Sequence, residues 1–350
     1  MVNRCLKSIL LVLVFLLTGC ENPIYQGAAD ISELQSVWQY LSVYSIYQER
    51  VASNPLSFRT PEALFESIGD SSYTRYRYRS RFSSSPRLQK VRFEETVTYE
   101  FLNATTAYVK IFPAFETSTY SEFRNILWRI IDYPNIVIDL RDNDGGFLNV
   151  TDSIIELFVG PGVSYIKNRY RKYCELELKG YTVPETGEWQ EQKTSRAQSP
   201  ALEGKNFSVL INRSTASAAE ILAAALKDCL DAHLVGDTTY GKGIGQIRVP
   251  RLNRDSIQIT FMKIRGVSER TGDYHNRGIE PDTIPRELQI VPKRQDGSYD
   301  LDLYYAAKLL DPTVEITDPG NWPRSPYVRA AAYRESGLVK VSPHDPITAR

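Results

Sequence analysis

Apolar positions along the chain alternate between two rhythms, and their order outlines the fold. A helical pattern runs from about Ile31 to Val51 and another from about Pro61 to Ile68. Two-residue alternation marks strands at Val97 to Leu102 and Ala107 to Phe112, with a turn near Asn103. Thr119 and Glu122 form a capping-box start for a helix whose apolar stripe is Phe123, Ile126, Leu127, Ile130 and Ile131. Asn135 to Leu140, "NIVIDL", is the nearly continuous apolar run of a buried parallel strand. The cycle then repeats. A turn at Gly145 and Gly146 precedes a helix carrying Val150, Ile154, Leu157 and Phe158, and "FSVLIN", Phe207 to Asn212, is a second buried strand. Between them the polar, turn-rich stretch from Ser164 to Gly204 suggests a hairpin or flap. A third cycle comprises a helix after Ser217, the strand "HLVGD", and paired strands at Ile247 to Val249 and Ile257 to Lys263. Strands and helices in alternation predict an α/β fold with a largely parallel central sheet and an N-terminal helical region.

The N-terminus changes this picture. Arg4 and Lys7 precede nine apolar residues, Ile9 to Leu17, and then "LTGC" ending at Cys20. Nine residues rise only about 14 Å as a helix, against the roughly 20 residues a membrane span needs, so this reads as a secretory signal. The stretch Leu17 to Cys20 resembles the lipobox of bacterial lipoproteins, which implies cleavage before Cys20 and lipidation of its thiol. Residues 1–19 are then a signal peptide and 20–30 a tether, ahead of an N-terminal helical region at 31–95, a core at 96–310 and a tail at 311–350. Glu21 stands where many inner-membrane lipoproteins carry aspartate, so the expected location is the cell envelope, lipid-anchored, with the outer membrane preferred.

Composition mostly excludes. The 42 basic and 42 acidic residues balance, and no basic excess points to nucleic acid. Arg75, Arg77, Arg79 and Arg81 alternate with other residues as the wet face of a strand. Of four cysteines only Cys174 and Cys229 survive cleavage and acylation. An extracytoplasmic compartment permits a disulfide between them, but one pair is no disulfide scaffold. No CxxC or clustered His/Cys spacing suggests a metal, and no cofactor is expected. Oligomeric state has no signature in the sequence.

Three segments carry candidate chemistry. In "STASAAE", Ser217 and Glu220 make a capping box, so Ser217 reads as a helix cap; a strand-to-helix turn is equally where enzymes expose a nucleophile beside helix N-terminal amides. In "GKGIGQ", Lys242 reads either as a solvated turn residue or as a general base. The second role requires burial to lower its pKa from near 10.4 by roughly 3 pH units, about 4 kcal/mol. In "LRDNDGG", Gly145 and Gly146 either make a tight turn or direct backbone N–H groups at an anion. His233 and His275 are rival bases, but each reads first as a structural or exposed residue.

Taken together and in order, the three segments resemble the motifs of the C-terminal-processing, or tail-specific, serine peptidases. "SIGDSSYTRY" at Ser67 to Tyr76 and "RGIEPD" at Arg277 to Asp282 extend the resemblance over roughly Ile31 to Leu310. The resemblance implies a ClpP/crotonase-like core, Ser217 as nucleophile, Lys242 as base at the family's spacing, Gln246 as the partner orienting the lysine, and an oxyanion hole built from Ala218 with Gly145 or Gly146. It also implies a polypeptide substrate. There are departures. Asp144 replaces the usual proline, Ala219 replaces a serine, and the short interval between Tyr76 and Val97 leaves no room there for the PDZ domain that many members carry. The expected protein is an extracytoplasmic lipid-anchored serine endopeptidase. Two alternatives are a non-catalytic peptide- or apolar-ligand-binding protein on the same fold and an acyl-CoA enzyme of the crotonase type. An intact Ser217, Lys242 and Gln246 set disfavours the binder, and a secretory signal disfavours the acyl-CoA enzyme.

Overall fold

The computed structural model describes residues 31–70, 72–77, 95–170, 187–195, 200–250, 256–285 and 300–314. The leader, Cys20, the tether, Cys174, Arg79, Arg81 and the chain beyond 314 lie outside the described residues. Among the described residues no helix is long and apolar enough to cross a membrane.

Among the described residues, ten strands form two five-stranded sheets. The first contains β2 (Val97–Phe101), β3 (Thr106–Ile111), β4 (Asn135–Asp139), β7 (Asn206–Ile211) and β8 (His233–Gly236), in the order β2-β3-β4-β7-β8. β3, β4, β7 and β8 are parallel, and only the edge strand β2 is antiparallel. β4 is buried at every position, as its unbroken apolar run requires of a strand covered on both faces. Ile136, Ile138, Val209 and Ile211 face a core shared with α3 (Thr119–Ile130), α4 (Leu148–Ile155) and α5 (Ala218–Leu230). The alternate residues Val137, Leu210 and Val235 face α6 (Leu301–Leu310). The two-residue side-chain period of strands therefore gives the sheet one helix layer on each side.

α5 is buried nearly all round, including Ala218, Ala219, Ala223, Ala224 and Ala225, each fully inaccessible. Small side chains let this helix approach the sheet closely, and each larger neighbour such as Leu222 contributes roughly 1.5–3 kcal/mol by leaving water.

The second sheet is antiparallel and contains β1 (Arg75–Arg77), β5 (Ser164–Tyr170), β6 (Trp189–Lys193), β9 (Ile244–Pro250) and β10 (Ser256–Arg265). The expected flap is the β5–β6 pair, and its tip lies outside the described residues. α1 (Ile31–Tyr44) and α2 (Pro61–Ser67) pack on β10 through Val37, Leu41, Leu64, Ile257 and Ile259. α1 stops seven residues short of the expected Val51, and 3-10 turns at Gln48–Arg50 and Pro55–Ser57 follow it. The capping box expected at α3 does not form. Ser118 occupies the cap position, and Glu122 instead accepts the N–H groups of Thr96 and Val97, tying the helix to the start of β2. A tertiary contact that satisfies two strand-end donors has outcompeted the local one.

Candidate active site

The carboxyl ends of the parallel strands β4, β7 and β8 open into three turns, 140–146, 212–217 and 237–243, and ligand sites of open α/β sheets lie at that edge. Hydrogen bonds lock the first two turns together. Asn212 Oδ1 accepts the N–H groups of Asp142 and Ser214, Thr215 Oγ1 donates to Leu140 O, and Ala216 N donates to Asn143 O. The third turn joins them where Tyr240 N donates to Thr215 O.

Ser217 immediately precedes α5 with φ 55° and ψ −118°, a left-handed conformation costly for a residue with a Cβ. Its own N–H donates to Glu220 Oε2 (2.8 Å). The same carboxylate oxygen accepts Lys242 N (2.8 Å), while Oε1 accepts Gly241 N and Thr239 Oγ1, both at 2.6 Å. Glu220 is fully buried, and its four donors offset the burial that pushes its pKa up. It therefore clamps the serine turn to the lysine loop. Sequence reasoning recognised Glu220 only as a capping partner; its second set of donors comes from residues some twenty positions away and has no local signature.

Burial lowers the pKa of the Lys242 amine, helped by the Arg75 charge and opposed by the charges of Glu220 and Asp144. Its Nζ lies 5.6 Å from the Tyr73 ring centroid, over the aromatic face. The backbone amides of Ser217 and Lys242 meet on one oxygen of Glu220, and among the described residues no hydrogen bond joins Ser217 Oγ to Lys242 Nζ. Gln246 lies on β9 opposite Thr260, and its Nε2 is buried without a hydrogen-bond partner. Asp144 is exposed.

The two glycines of the first turn differ in role. At Gly145 (φ 94°) a Cβ would meet Ala216 O and Ser217 Cβ at 2.7 Å, so only glycine lets this backbone lie against the serine. Its N–H is taken by Asn143 Oδ1 at 2.9 Å. At Gly146 (φ 143°) a Cβ would meet Phe115 O at 2.2 Å. Neither the Gly146 amide nor that of Ala218, the first residue of α5, donates to another backbone group in the described structure.

His233 Nε2 pairs with Thr283 Oγ1 at 2.9 Å. His275 lines a polar cavity of about 900 Å³ together with Asp70, Tyr73, Arg213, Gly241 and Lys263. The "RGIEPD" segment braces the lysine loop, for Ile279 N donates to Thr239 Oγ1, and Asp282 accepts both Lys227 Nζ (2.6 Å) and Leu234 N (2.9 Å). Among the described residues no cluster of three His, Cys, Asp or Glu side chains could hold a metal ion.

One feature beside the site escaped sequence reasoning. Arg141 of "LRDNDGG" is buried and pairs with Asp139 through Nε (2.9 Å) and Nη2 (2.7 Å), and with Asp300 through Nη1 (2.8 Å) and Nη2 (2.7 Å). Asp300 is the N-cap of α6, accepting Leu303 N. The only hint in the sequence was an Asp-x-Arg pair at the end of a buried strand.

Residues 105–284, about half the chain, match the model of peptidase family S41. The chain is 30% identical over 204 residues to a carboxyl-terminal-processing protease of Synechocystis sp., covering 58% of this chain and 43% of that protein. It is 26% identical over 188 residues to a "Probable CtpA-like serine protease" of Staphylococcus saprophyticus, covering 52% and 35%. The chain thus spans less than half the length of these curated relatives. Among solved structures, a lipoprotein from Streptococcus agalactiae superposes with a TM-score of 0.53 at 13% identity, covering 84% of this chain and 99% of that one, a likeness of fold.

Proposed function

The chain belongs to peptidase family S41, and we propose that it is a serine endopeptidase in which Ser217 attacks the peptide carbonyl and Lys242 is the general base. The observation that carries this reading is the Glu220 clamp, which ties a strained serine at a helix N-terminus to the loop of a desolvated lysine. Neutral Lys242 removes the proton from Ser217 Oγ as that oxygen bonds to the substrate carbonyl carbon. The carbonyl becomes an oxyanion, and the Ala218 and Gly146 amides are its donors, since the Gly145 amide already serves Asn143. Collapse of the intermediate expels the amine, which takes the proton from Lys242, and water then hydrolyses the acyl-enzyme. Gln246 orients the lysine amine by accepting from it as the substrate binds.

The substrates are unfolded or exposed polypeptide segments. Cys20 carries a lipid that holds the enzyme in the cell envelope, facing the periplasm or exterior, with the outer membrane preferred. Incubation with casein beside the Ser217→Ala variant tests the chemistry, with fragments read by mass spectrometry. Cleavage by the parent alone supports it, whereas equal cleavage by the variant, or by Lys242→Ala, rules out this assignment of roles. A failure of both proteins to cleave favours the non-catalytic binder. Incorporation of labelled palmitate that Cys20→Ala abolishes tests the anchor.

A further inference from the structure

A second cavity of about 560 Å³ begins at Gly146 and Gln246 and runs between the first turn of α4 and the antiparallel sheet. Its walls are mainly apolar, including Phe147, Leu148, Ile166, Val249, Met262 and Ile264. Of its polar lining residues, Asp152, Asn168 and Gln192 gather at one end, and Asn149, Gln246 and Arg248 also line it. Asn168 pairs with Ile264 on one edge of β10, and Gln246 pairs with Thr260 on the other, so the polar end stands two strand spacings across and four residues along β10 from Gln246, roughly 16 Å.

The polar end is a built relay with a fixed direction. The Tyr165 hydroxyl donates to Asp152 Oδ1 (2.8 Å), so its oxygen accepts from Gln192 Nε2 (2.5 Å). Gln192 Oε1 then accepts Asn168 Nδ2 (2.6 Å). Asn168, only 4% exposed, is left with Oδ1 buried and unpartnered. The free capacity at this end is therefore that of an acceptor, beside a carboxylate. Among the described residues no cation is hydrogen-bonded to that carboxylate. Glu156, one turn along the same helix, adds a second negative charge, Tyr165 and Gln192 face Asp152 from β5 and β6, and Arg248 of β9 stands exposed at the rim. Burial, chiefly, with a smaller contribution from Glu156, raises the Asp152 pKa to about 6 against the hydrogen bonds from Tyr165 and Gln192.

We propose that this cavity is the specificity pocket for a basic substrate side chain, lysine or arginine, whose methylene stem lies along the apolar wall and whose charged head meets Asn168 Oδ1 and Asp152. The assignment rests on the peptidase reading. An ammonium or guanidinium supplies only donors, which is what an acceptor-only end requires, and the long stems of these side chains cover apolar surface well. A leucine or norleucine side chain leaves Asn168 Oδ1 unpaired and the carboxylate without a counter-charge.

The test measures binding separately from cleavage. Full-length Ser217→Ala protein in mild detergent is titrated into fluorescent octapeptides of alanine, serine and glycine carrying one central lysine, arginine, norleucine or tyrosine, read by polarisation. Lysine and arginine peptides are expected to bind at least tenfold tighter than the norleucine peptide at pH 7.5. The margin shrinks toward pH 5, because Asp152 is ionised above its pKa and loses its charge as pH falls through it. Asp152→Asn reduces the margin to less than threefold, and Asn168→Leu reduces it while leaving the carboxylate, so that a misfolded variant of either kind is not decisive. Equal or tighter binding of norleucine or tyrosine peptides to the parent, or an unchanged margin in folded Asp152→Asn, overturns the pocket assignment. Cleavage of the same panel by the parent protein addresses the other reading. A basic preference in binding without cleavage leaves the pocket standing and removes the peptidase, and cleavage indifferent to basic residues does the reverse.

Discussion

Ser217 holds a backbone conformation suited to glycine, and a strained residue persists only where its surroundings over-determine it. Here the surroundings are the Asn212, Thr215 and Glu220 hydrogen bonds that bind the turn on both sides. Ser217→Gly and Ser217→Ala should both lose cleavage by at least about 10³-fold. Ser217→Gly should nevertheless be the more stable of the two by about 1–2 kcal/mol, seen as a higher urea midpoint, because it removes the Cβ penalty. The pH profile carries a second signature. On the proposed mechanism only neutral Lys242 accepts a proton, so activity should rise as pH climbs through its pKa, which burial has lowered from the ordinary lysine value. The Glu220 charge opposes that lowering, so Glu220→Gln should move the rising limb of kcat/KM to lower pH. A purely structural Glu220 would lower activity at every pH without moving the limb.

Among the elements, α6 depends most clearly on one contact. Its apolar residues Leu303, Ala306 and Ala307 cover the sheet, but its first turn is held by Asp300 on the buried Arg141. Breaking a buried pair from one side costs about 3–5 kcal/mol, because the remaining charge is stranded. Arg141→Met should therefore lower the denaturant-derived stability by about that amount, because it strands the buried Asp139 and Asp300 together, whereas Asp300→Ala should cost less, since Arg141 keeps both bonds to Asp139. Acid titration has a definite sign here. Burial opposes ionisation of Asp139, but the Arg141 and Lys110 charges and the Arg141 and Tyr108 hydrogen bonds hold its carboxyl well below the usual range. Its stabilising contribution is present above the unfolded carboxylate pKa of about 3.9 and is lost as pH falls below that toward the folded value.

Across the whole molecule, the N-terminal helices share an apolar cluster of their own with Ile257 and Ile259 of β10, while Tyr165, Ile166, Met262 and Ile264 carry the antiparallel sheet into the main core of the parallel sheet. The active-site loops join the two, since Lys242 precedes β9 and its amide is held by Glu220 of α5. Leu41→Ala, at a fully buried position, should cost about 2–5 kcal/mol, read from the shift of its chemical denaturation midpoint. The parallel strands, their crossover helices and the order of the three catalytic-type motifs were legible in the sequence, because continuous apolar runs, helical periodicity and short motifs are local patterns. The end of α1, the displaced capping box of Glu122 and the whole of α6 were not. Local propensity competes there with partners distant in the chain: β2 claims Glu122, and Arg141 claims Asp300 from 159 residues away. Sequence by itself determined which residues could carry the chemistry. Only tertiary structure decided how they are held, with Glu220 shared between serine and lysine, Gly145 already committed to Asn143, and Asn168 Oδ1 left unpaired in a mainly apolar cavity, because hydrogen-bond satisfaction in a buried site is settled by packing across elements rather than along the chain.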